Sequence, residues 1–333
     1  SGHYFIDVTA PTDKVYQLKI VWFRVLRVVY FHLAGLYGLY LVFTSAYLVT
    51  TVFAFLLHMV GMLGVTAGVH RLWSHQSYKA NLPLRVILIL FFSLASQSSV
   101  LSWARNHRIH HKYSETDADP HNAKRGFFFS HCGWIMVHTH PEFKKKISQI
   151  DVSDLLADPL VMFQDRYFRW SVLFVSVVPP LLAMYCWDET LSNAWHVVFG
   201  LRFMTTYNCT FLINSVAHLW GNRPYDKFIN PSQNLGVAIF ALGEGWHNYH
   251  HVFPWDYKTA ELGNYSTNIT IMFIDFFAWI GWAYNLKTVS PDLVAARVKR
   301  TGDGSHDVWG WNDKDLTQEE KLKATIINRK TRS

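Results

Sequence analysis

From Val28 to Val69 the chain carries no Asp, Glu, Lys or Arg. A bilayer core takes about 20 helical residues. The run is roughly twice that long, which predicts two spans joined by a tight turn near Thr44–Ser45. A second pair follows. Trp170–Trp187 is uncharged and contains Pro179 and Pro180, which are expected to kink it. Asp188 and Glu189 mark a short turn, and Ala194–Ala217 returns with one charge, Arg202. Two shorter apolar stretches remain. Val86–Leu101 contains Gln97-Ser98-Ser99 near its end, and Ile269–Tyr284 is interrupted by Asp275. Reading either as a span would move a terminus or the histidine clusters to opposite sides, so both read as helices buried in, or lying on, the part outside the membrane.

Charge supplies the orientation. Lys14, Lys19, Arg24 and Arg27 precede the first span. The stretch between the hairpins holds Arg71, Arg105, Arg108, Lys124, Arg125, Lys144–Lys146, Arg166 and Arg169, and the two short turns hold no Lys or Arg. Positively charged loops stay cytosolic, so both termini and the central region are expected there. The chain then divides into a cytosolic N-terminal segment (1–27), a first transmembrane hairpin (28–69), a cytosolic region (70–169), a second hairpin (170–217), a second cytosolic region (218–306) and a polar tail (307–333). Ser1–Thr9 has neither a basic region nor an apolar core, so no cleavable signal peptide is expected.

Composition agrees with an all-α integral membrane protein. Half of the 333 residues are hydrophobic and 17% are charged, against about 25% charged in an average soluble domain. That excludes a disordered chain and an ordinary soluble globule. Cys132, Cys186 and Cys209 form no C-x-x-C pair, so neither a disulfide framework nor a thiolate zinc site is expected. The net charge of +7 fits a membrane protein's cytosolic excess of Lys and Arg; with no basic helix or RNA-binding signature, no nucleic-acid partner is expected. The glycosylation sequons at Asn208, Asn264 and Asn268 fall in a span or on the cytosolic side and read as chance matches.

Histidine changes the picture. Of 18, half fall into tight clusters or beside a span end. His107, His110 and His111 stand at i, i+3 and i+4, as do His247, His250 and His251, so each trio presents one helical face. His70 and His75 are five apart, which does not fit one α-helical face and suggests a helix end unwinding as it leaves the membrane. His218 follows the fourth span, with Asn214 one turn earlier. Nine histidines and one asparagine can thus converge just outside the bilayer. Imidazole suits iron, zinc, copper and nickel, and nine are too many for one ion, so two metals are the economical reading. Glu115, Asp117, Asp119 and Glu244 are candidates to orient the rings. As lone histidines, His32, His58, His121, His131, His138, His140, His196 and His306 read as structural rather than as metal ligands.

The three boxes, His70-Arg-Leu-Trp-Ser-His75, His107-Arg-Ile-His110-His111 and Gly243-Glu-Gly-Trp-His247-Asn-Tyr-His250-His251, resemble those of the membrane acyl-CoA desaturases of the stearoyl-CoA (delta-9) type. The flanks Asp119-Pro-His-Asn122, Arg125-Gly-Phe-Phe-Phe-Ser-His131, Arg223-Pro-Tyr-Asp-Lys227 and Arg300-Thr-Gly-Asp-Gly-Ser-His306 are similar too, and the tail beyond resembles arthropod members. The resemblance implies four transmembrane helices in two hairpins under a helical cytosolic cap. It implies two irons held by His70, His75, His107, His110, His111, His218, His247, His250 and His251 and, through water, Asn214. The implied reaction is O2-dependent removal of two hydrogens from a saturated fatty acyl-CoA in the endoplasmic reticulum membrane. Electrons would come from cytochrome b5 and its NADH-dependent reductase. No His-Pro-Gly-Gly haem motif occurs, so cytochrome b5 is expected to be a separate protein.

An unactivated C–H bond offers no acid–base handle, so the chemistry falls to metal and O2, and the protein's share is positioning. A bent apolar tunnel lined by Trp73, Val100, Leu101, Trp103, Thr210 and Phe211 would hold one methylene pair at the metals. The CoA phosphates need cations, and the resemblance puts Arg105 there. This chain departs from the family pattern at Asn106 (commonly Asp), at His138-Thr139 (a basic pair), at Phe211 (Trp), and at Arg24 and at Ser98 after Gln97 (Asn). Arg24 is expected to replace a lost cation. Met62, about 12 Å along the helix from His70, and His58 one turn further, are expected to close the far end of the tunnel. The same scaffold acting at carbon 11, or as a hydroxylase, is the first alternative. A non-enzymatic metal-binding or transport protein is the second, although transport would want ionisable groups at mid-membrane.

Overall fold

The computed structural model describes residues 18–306 and 316–325. Ser1–Thr9, Lys14 and most of the 307–333 tail therefore lie outside the described residues. The first uncharged run folds into two helices, α1 (Trp22–Thr44) and α2 (Leu48–Leu63). α1 begins six residues ahead of the uncharged run, because Arg24 and Arg27 fit its first turns. α3 (Leu82–Ala95) and α4 (Val100–Lys112) follow, then α5 (Pro159–Trp187), which continues through Pro179 and Pro180. Among the described residues, the helices Trp22–Thr44, Leu48–Ser74 and Pro159–Trp187 are long and apolar enough to cross a membrane.

The remaining expected span is different in kind. A π-helical stretch, Ala194–Leu201, runs into α6 (Arg202–Asn214). Helical residues 191–214 are long enough to span, but they include Asn193, His196, Arg202, Thr206 and Asn208 and are more polar than the other three. This helix is the centre of the bundle, with α1, α2 and α5 packed around it. Its polar groups find partners inside the protein, which is the condition for keeping them at membrane depth. Arg202 donates to the carbonyls of Val198 (2.9 Å) and Leu94 (2.6 Å). Thr206 Oγ1 lies 3.0 Å from His58 Nδ1, and Asn208 Oδ1 lies 3.0 Å from His131 Nε2. Gly38 lets α1 approach the central helix, since a Cβ there would lie 2.1 Å from the carbonyl oxygen of His196.

At the end away from the histidines, buried Glu189 joins the two hairpin turns. It accepts from the Thr50 hydroxyl, the Tyr47 N–H (3.0 Å) and the Asn193 side chain (2.9 Å).

The two shorter apolar stretches are built in pieces. Val86–Leu101 is not one helix: Ser96 adopts a left-handed conformation (φ 54°) and Ser99 caps α4, so α3 and α4 meet at an 81° bend. α3 packs against α2 and its continuation. Ile269–Tyr284 divides into α8 (Ile269–Trp279) and a short strand, β2 (Ala283–Tyr284), paired antiparallel with β1 (Lys79–Ala80). Asp275 accepts from the hydroxyls of Tyr257 (3.0 Å) and Tyr265 (2.8 Å), which is how a carboxylate sits within that apolar helix.

Candidate metal centre

Four pieces of backbone carry the nine clustered histidines. α2 continues as a π-helix through Gly64–Ser74, where the backbone bonds to the fifth residue rather than the fourth. The His75 N–H reaches the His70 carbonyl at 3.1 Å. This corrects the expected unwinding. In a π-turn a five-residue spacing does return to one face, and the rings of His70 and His75 stand 4.9 Å apart. α4 presents His107, His110 and His111, and α7 (His247–Val252) presents His247, His250 and His251. His218 stands on the helical turn Val216–Leu219 beyond α6. Arg108 locks two of these pieces together. It donates to the carbonyls of Trp73 (2.8 Å) and Ser74 (3.1 Å) at the end of the π-helix and pairs with Asp154.

The rings divide into two groups. His70, His75, His107, His111 and His250 offer nitrogens that all lie within 4.8 Å of one another, and so do His110, His218, His247 and His251. In the first group, Nε2–Nε2 separations are 3.0 Å for His70–His250, 2.8 Å for His75–His107 and 3.1 Å for His111–His250. In the second they are 2.9 Å for His218–His247 and 3.1 Å for His247–His251. So many converging nitrogens cannot all be satisfied by one another's protons. A metal–imidazole bond of about 2.1 Å puts ligands at right angles about 3.0 Å apart, so the donor sets fit two cations.

Protonation fits the same use. Burial, reinforced by the charges of neighbouring rings and arginines, pushes His75, His107, His111, His247, His250 and His251 well below the ordinary imidazole range. Neutral imidazole is the ligating form. Three carboxylates orient rings from outside: Glu244 lies 2.9 Å from His70 Nδ1, Asp119 2.9 Å from His110 Nδ1, and Glu115 2.5 Å from His218 Nδ1. Each contact makes Nδ1 the protonated nitrogen and leaves Nε2 with its lone pair inward. Burial works against a charged His110, but the charge and hydrogen bond of Asp119 overcome it and hold that ring above its usual range. Glu244 is buried too, yet fully buried Arg71 beside it keeps its carboxyl below the usual range. Asp117, the fourth candidate, is exposed and stands 3.9 Å from His140 instead.

Beside the first group opens a chamber of about 380 Å³. Arg24, Gln97, Ser98, Trp103, Asn106, Thr139, Thr210 and Phe211 line it, together with His107 and Asn214. Trp103 stacks on His107 (4.9 Å between centroids, 22° between planes) and donates to Gln97 Oε1 at 3.0 Å; Gln97 donates to Thr210 Oγ1 at 2.7 Å. Asn214 also lines a gap of about 30 Å³ shared with His70, His107, Glu244 and His247, between the two groups.

Other expected substrate residues are not in the chamber wall. Arg105 and His138 do not line it, since α4 turns Asn106 and His107 inward instead. Met62 is fully buried, packed with Cys209 and Ala217, and its sulfur lies 3.8 Å from the Thr210 hydroxyl; His58 is taken up by Thr206. Trp73 donates to Asp158 (3.1 Å), and Val100 is fully buried in the same core. Five lining residues carry no site signal in the sequence: Arg27 reads only as an orienting charge, His121 as structural, and Trp134, Ile135 and Tyr207 belong to no distinguishing motif. His121 Nδ1 and Trp134 Nε1 are buried without a hydrogen-bond partner.

A fatty acid desaturase family model matches residues 45–263. An acyl-CoA Delta-9 desaturase of Acheta domesticus is 57% identical over 330 residues, covering 98% of this chain and 92% of that protein. An acyl-CoA Delta12-desaturase of the same species is 58% identical over 320 residues, covering 96% and 90%. An acyl-CoA Delta(11) desaturase of Trichoplusia ni is 52% identical over 327 residues, covering 97% and 93%.

Proposed function

Because the chain belongs to the fatty acid desaturase family and is a fatty acyl-CoA desaturase with a two-iron centre, we propose that its nine histidines divide five and four between the irons. His70, His75, His107, His111 and His250 hold one. His110, His218, His247 and His251 hold the other, with Asn214 completing it through water. The observation that carries this is the convergence of Nε2 atoms in two separate groups beside one chamber. When bound, the irons supply the redox chemistry that lets O2 take hydrogen from an unactivated C–H bond. The balance is one saturated acyl chain, O2, two electrons and two protons giving one double bond and two waters.

The chain's own residues set the geometry. Arg24 and Arg27, at the chamber's rim, face the CoA phosphates, and Asn106 and Thr139 offer hydrogen bonds to the rest of the head. The Trp103–Gln97–Thr210 brace is rigid because each side chain's polar atom is bonded to the next. It bends the acyl path and holds one methylene pair at the gap beside His107 and Asn214, and misplacement by an ångström would lower the rate sharply. The buried Glu244, Asp119 and Glu115 keep the rings from turning when a proton arrives.

The double bond is assigned to carbon 9, the position named for one of the most similar relatives; others of nearly equal identity are named for carbons 11 and 12. Electrons are assigned to cytochrome b5 and its NADH-dependent reductase, and the location to the endoplasmic reticulum membrane with both termini and the histidine-bearing cap in the cytosol. The support for that topology is the Lys and Arg excess on the cap side. Expression in microsomes supplied with saturated acyl-CoAs, followed by double-bond localisation in the products, tests the assignment. Products unsaturated at carbon 11 or 12 instead would replace carbon 9 while leaving the metal assignment standing.

A further inference from the structure

We propose that the cleft between α1 and α5 is a lateral port, through which the fatty chain of the acyl-CoA passes between the bilayer and the chamber. The proposal rests on acyl-CoA being the substrate. α1 and α5 each pack on the central helix, and a cavity of about 240 Å³ remains between them. Phe203 and Tyr207 of the central helix form its floor, with Phe31 of α1 on one side and Phe168, Val172 and Ser176 of α5 on the other. Two neighbours on α5, Leu173 and Phe174, are exposed on a helix apolar enough to span, so the cleft faces lipid.

Its chemistry suits a hydrocarbon chain. Apart from Arg27 at one end, the polar side chains along it are already hydrogen-bonded. The Ser176 hydroxyl donates to the Val172 carbonyl (2.7 Å) and the Tyr207 hydroxyl to the Ser96 carbonyl (2.6 Å). His32 Nδ1 lies 2.8 Å from the Val28 carbonyl, and its Nε2 lies 3.2 Å from Asn208 Nδ2. What remains is carbon surface, which holds water poorly without polar partners. The cleft is also continuous with the chamber: Arg27, Gln97, Tyr207 and Phe211 belong to the walls of both. Arg27 stands at the junction, where a CoA phosphate could stay on the aqueous side while the chain swings inward.

A chain admitted sideways never has to be drawn whole through water, whose contact with apolar surface is unfavourable in proportion to the area exposed. A kinked unsaturated product leaves by the same slot. A membrane lipid resident in the cleft is the competing occupant, and the test separates the two.

Val172→Trp and Ser176→Trp each fill the cleft from the α5 side without touching the nine clustered histidines. Both variants, in phosphatidylcholine vesicles, would be compared with the wild type on hexadecanoyl-CoA and dodecanoyl-CoA, with iron content measured in parallel. The expected result is a kcat/KM about tenfold lower on hexadecanoyl-CoA. Dodecanoyl-CoA turnover, whose shorter chain can enter from water, and iron content should stay within about twofold. An unchanged hexadecanoyl rate, as a resident lipid would give, overturns the port, and so does an equal loss on both substrates with iron intact. Should the Trp variants fail to accumulate, Ser176→Leu fills the cleft more mildly, and the same chain-length split is required of it. A wild type that converts neither acyl-CoA overturns the activity reading itself, and the port with it.

Discussion

Met62 packs behind Thr210, a residue of the chamber wall, without lining the chamber itself. Its sulfur touches the Thr210 hydroxyl, and the rest of the side chain is packed against the central helix with no exposure. Truncation to alanine would leave a void that an acyl tail can occupy. Two more methylenes buried there are worth about 0.8 kcal/mol each. Met62→Ala is therefore expected to shift relative rates toward 18-carbon over 16-carbon acyl-CoA by about tenfold. Competition assays on 14-, 16- and 18-carbon substrates read this directly, and an unchanged ratio means the tail ends elsewhere. His250 contributes at the same scale. Its Nε2 lies within 3.1 Å of both His70 and His111, at the crossing of all three boxes. His250→Ala should abolish desaturation and lower bound iron while membrane insertion is kept. Full activity with two irons per chain would take His250 out of the site.

At the scale of elements, what holds the bundle together is close approach between helices. In lipid there is no hydrophobic drive between them, so packing at small residues and internal hydrogen bonds carry the association. Gly38 is where α1 meets the central helix, and any Cβ there collides with backbone. Overpacking of this kind costs about 1–3 kcal/mol. Gly38→Ala is expected to lower the melting temperature in detergent by several degrees. Gly263→Ala, where an added Cβ meets nothing within 4 Å, should leave it unchanged. Equal melting temperatures for the two variants would show that α1 can shift to absorb the methyl group. The π-helix is a second device at this scale. It alters the turn so that a five-residue spacing in the sequence becomes a single face in space, and without it His75 would point away from His70.

Over the whole molecule, charge and hydrophobicity are segregated. The bundle's outer surface is apolar, whereas the histidine-bearing cap exposes Lys144, Lys145, Lys299 and Arg300. An acidic electron donor such as cytochrome b5 would be drawn to that face. Attraction between exposed charges is screened beyond about 10 Å at 0.1 M salt. Electron transfer from cytochrome b5 is therefore expected to slow as ionic strength rises, when measured under donor-limited turnover. A salt-independent rate would argue for an apolar docking surface instead.

Much of this was legible in the linear chain. Long uncharged runs need no partner to declare themselves, because the bilayer's thickness sets their length. Histidines at i, i+3 and i+4 share a face wherever a helix forms, so the membrane class, the two-metal centre and the desaturase family follow from local pattern. Three features were decided only by tertiary structure. The polar central helix is tolerated because Arg202, Thr206 and Asn208 find partners on other elements, as Glu189 does at the hairpin turns. The registration of His70 with His75 depends on a π-turn, whose backbone bonds no side-chain pattern announces. The chamber's wall depends on which way α4 faces after the bend at Ser96–Ser99, which turns Asn106 inward, leaves Arg105 out of the wall, and brings Arg27 and His121 in from distant segments. Spacing along a chain determines which side chains share a face, but only packing determines what that face meets.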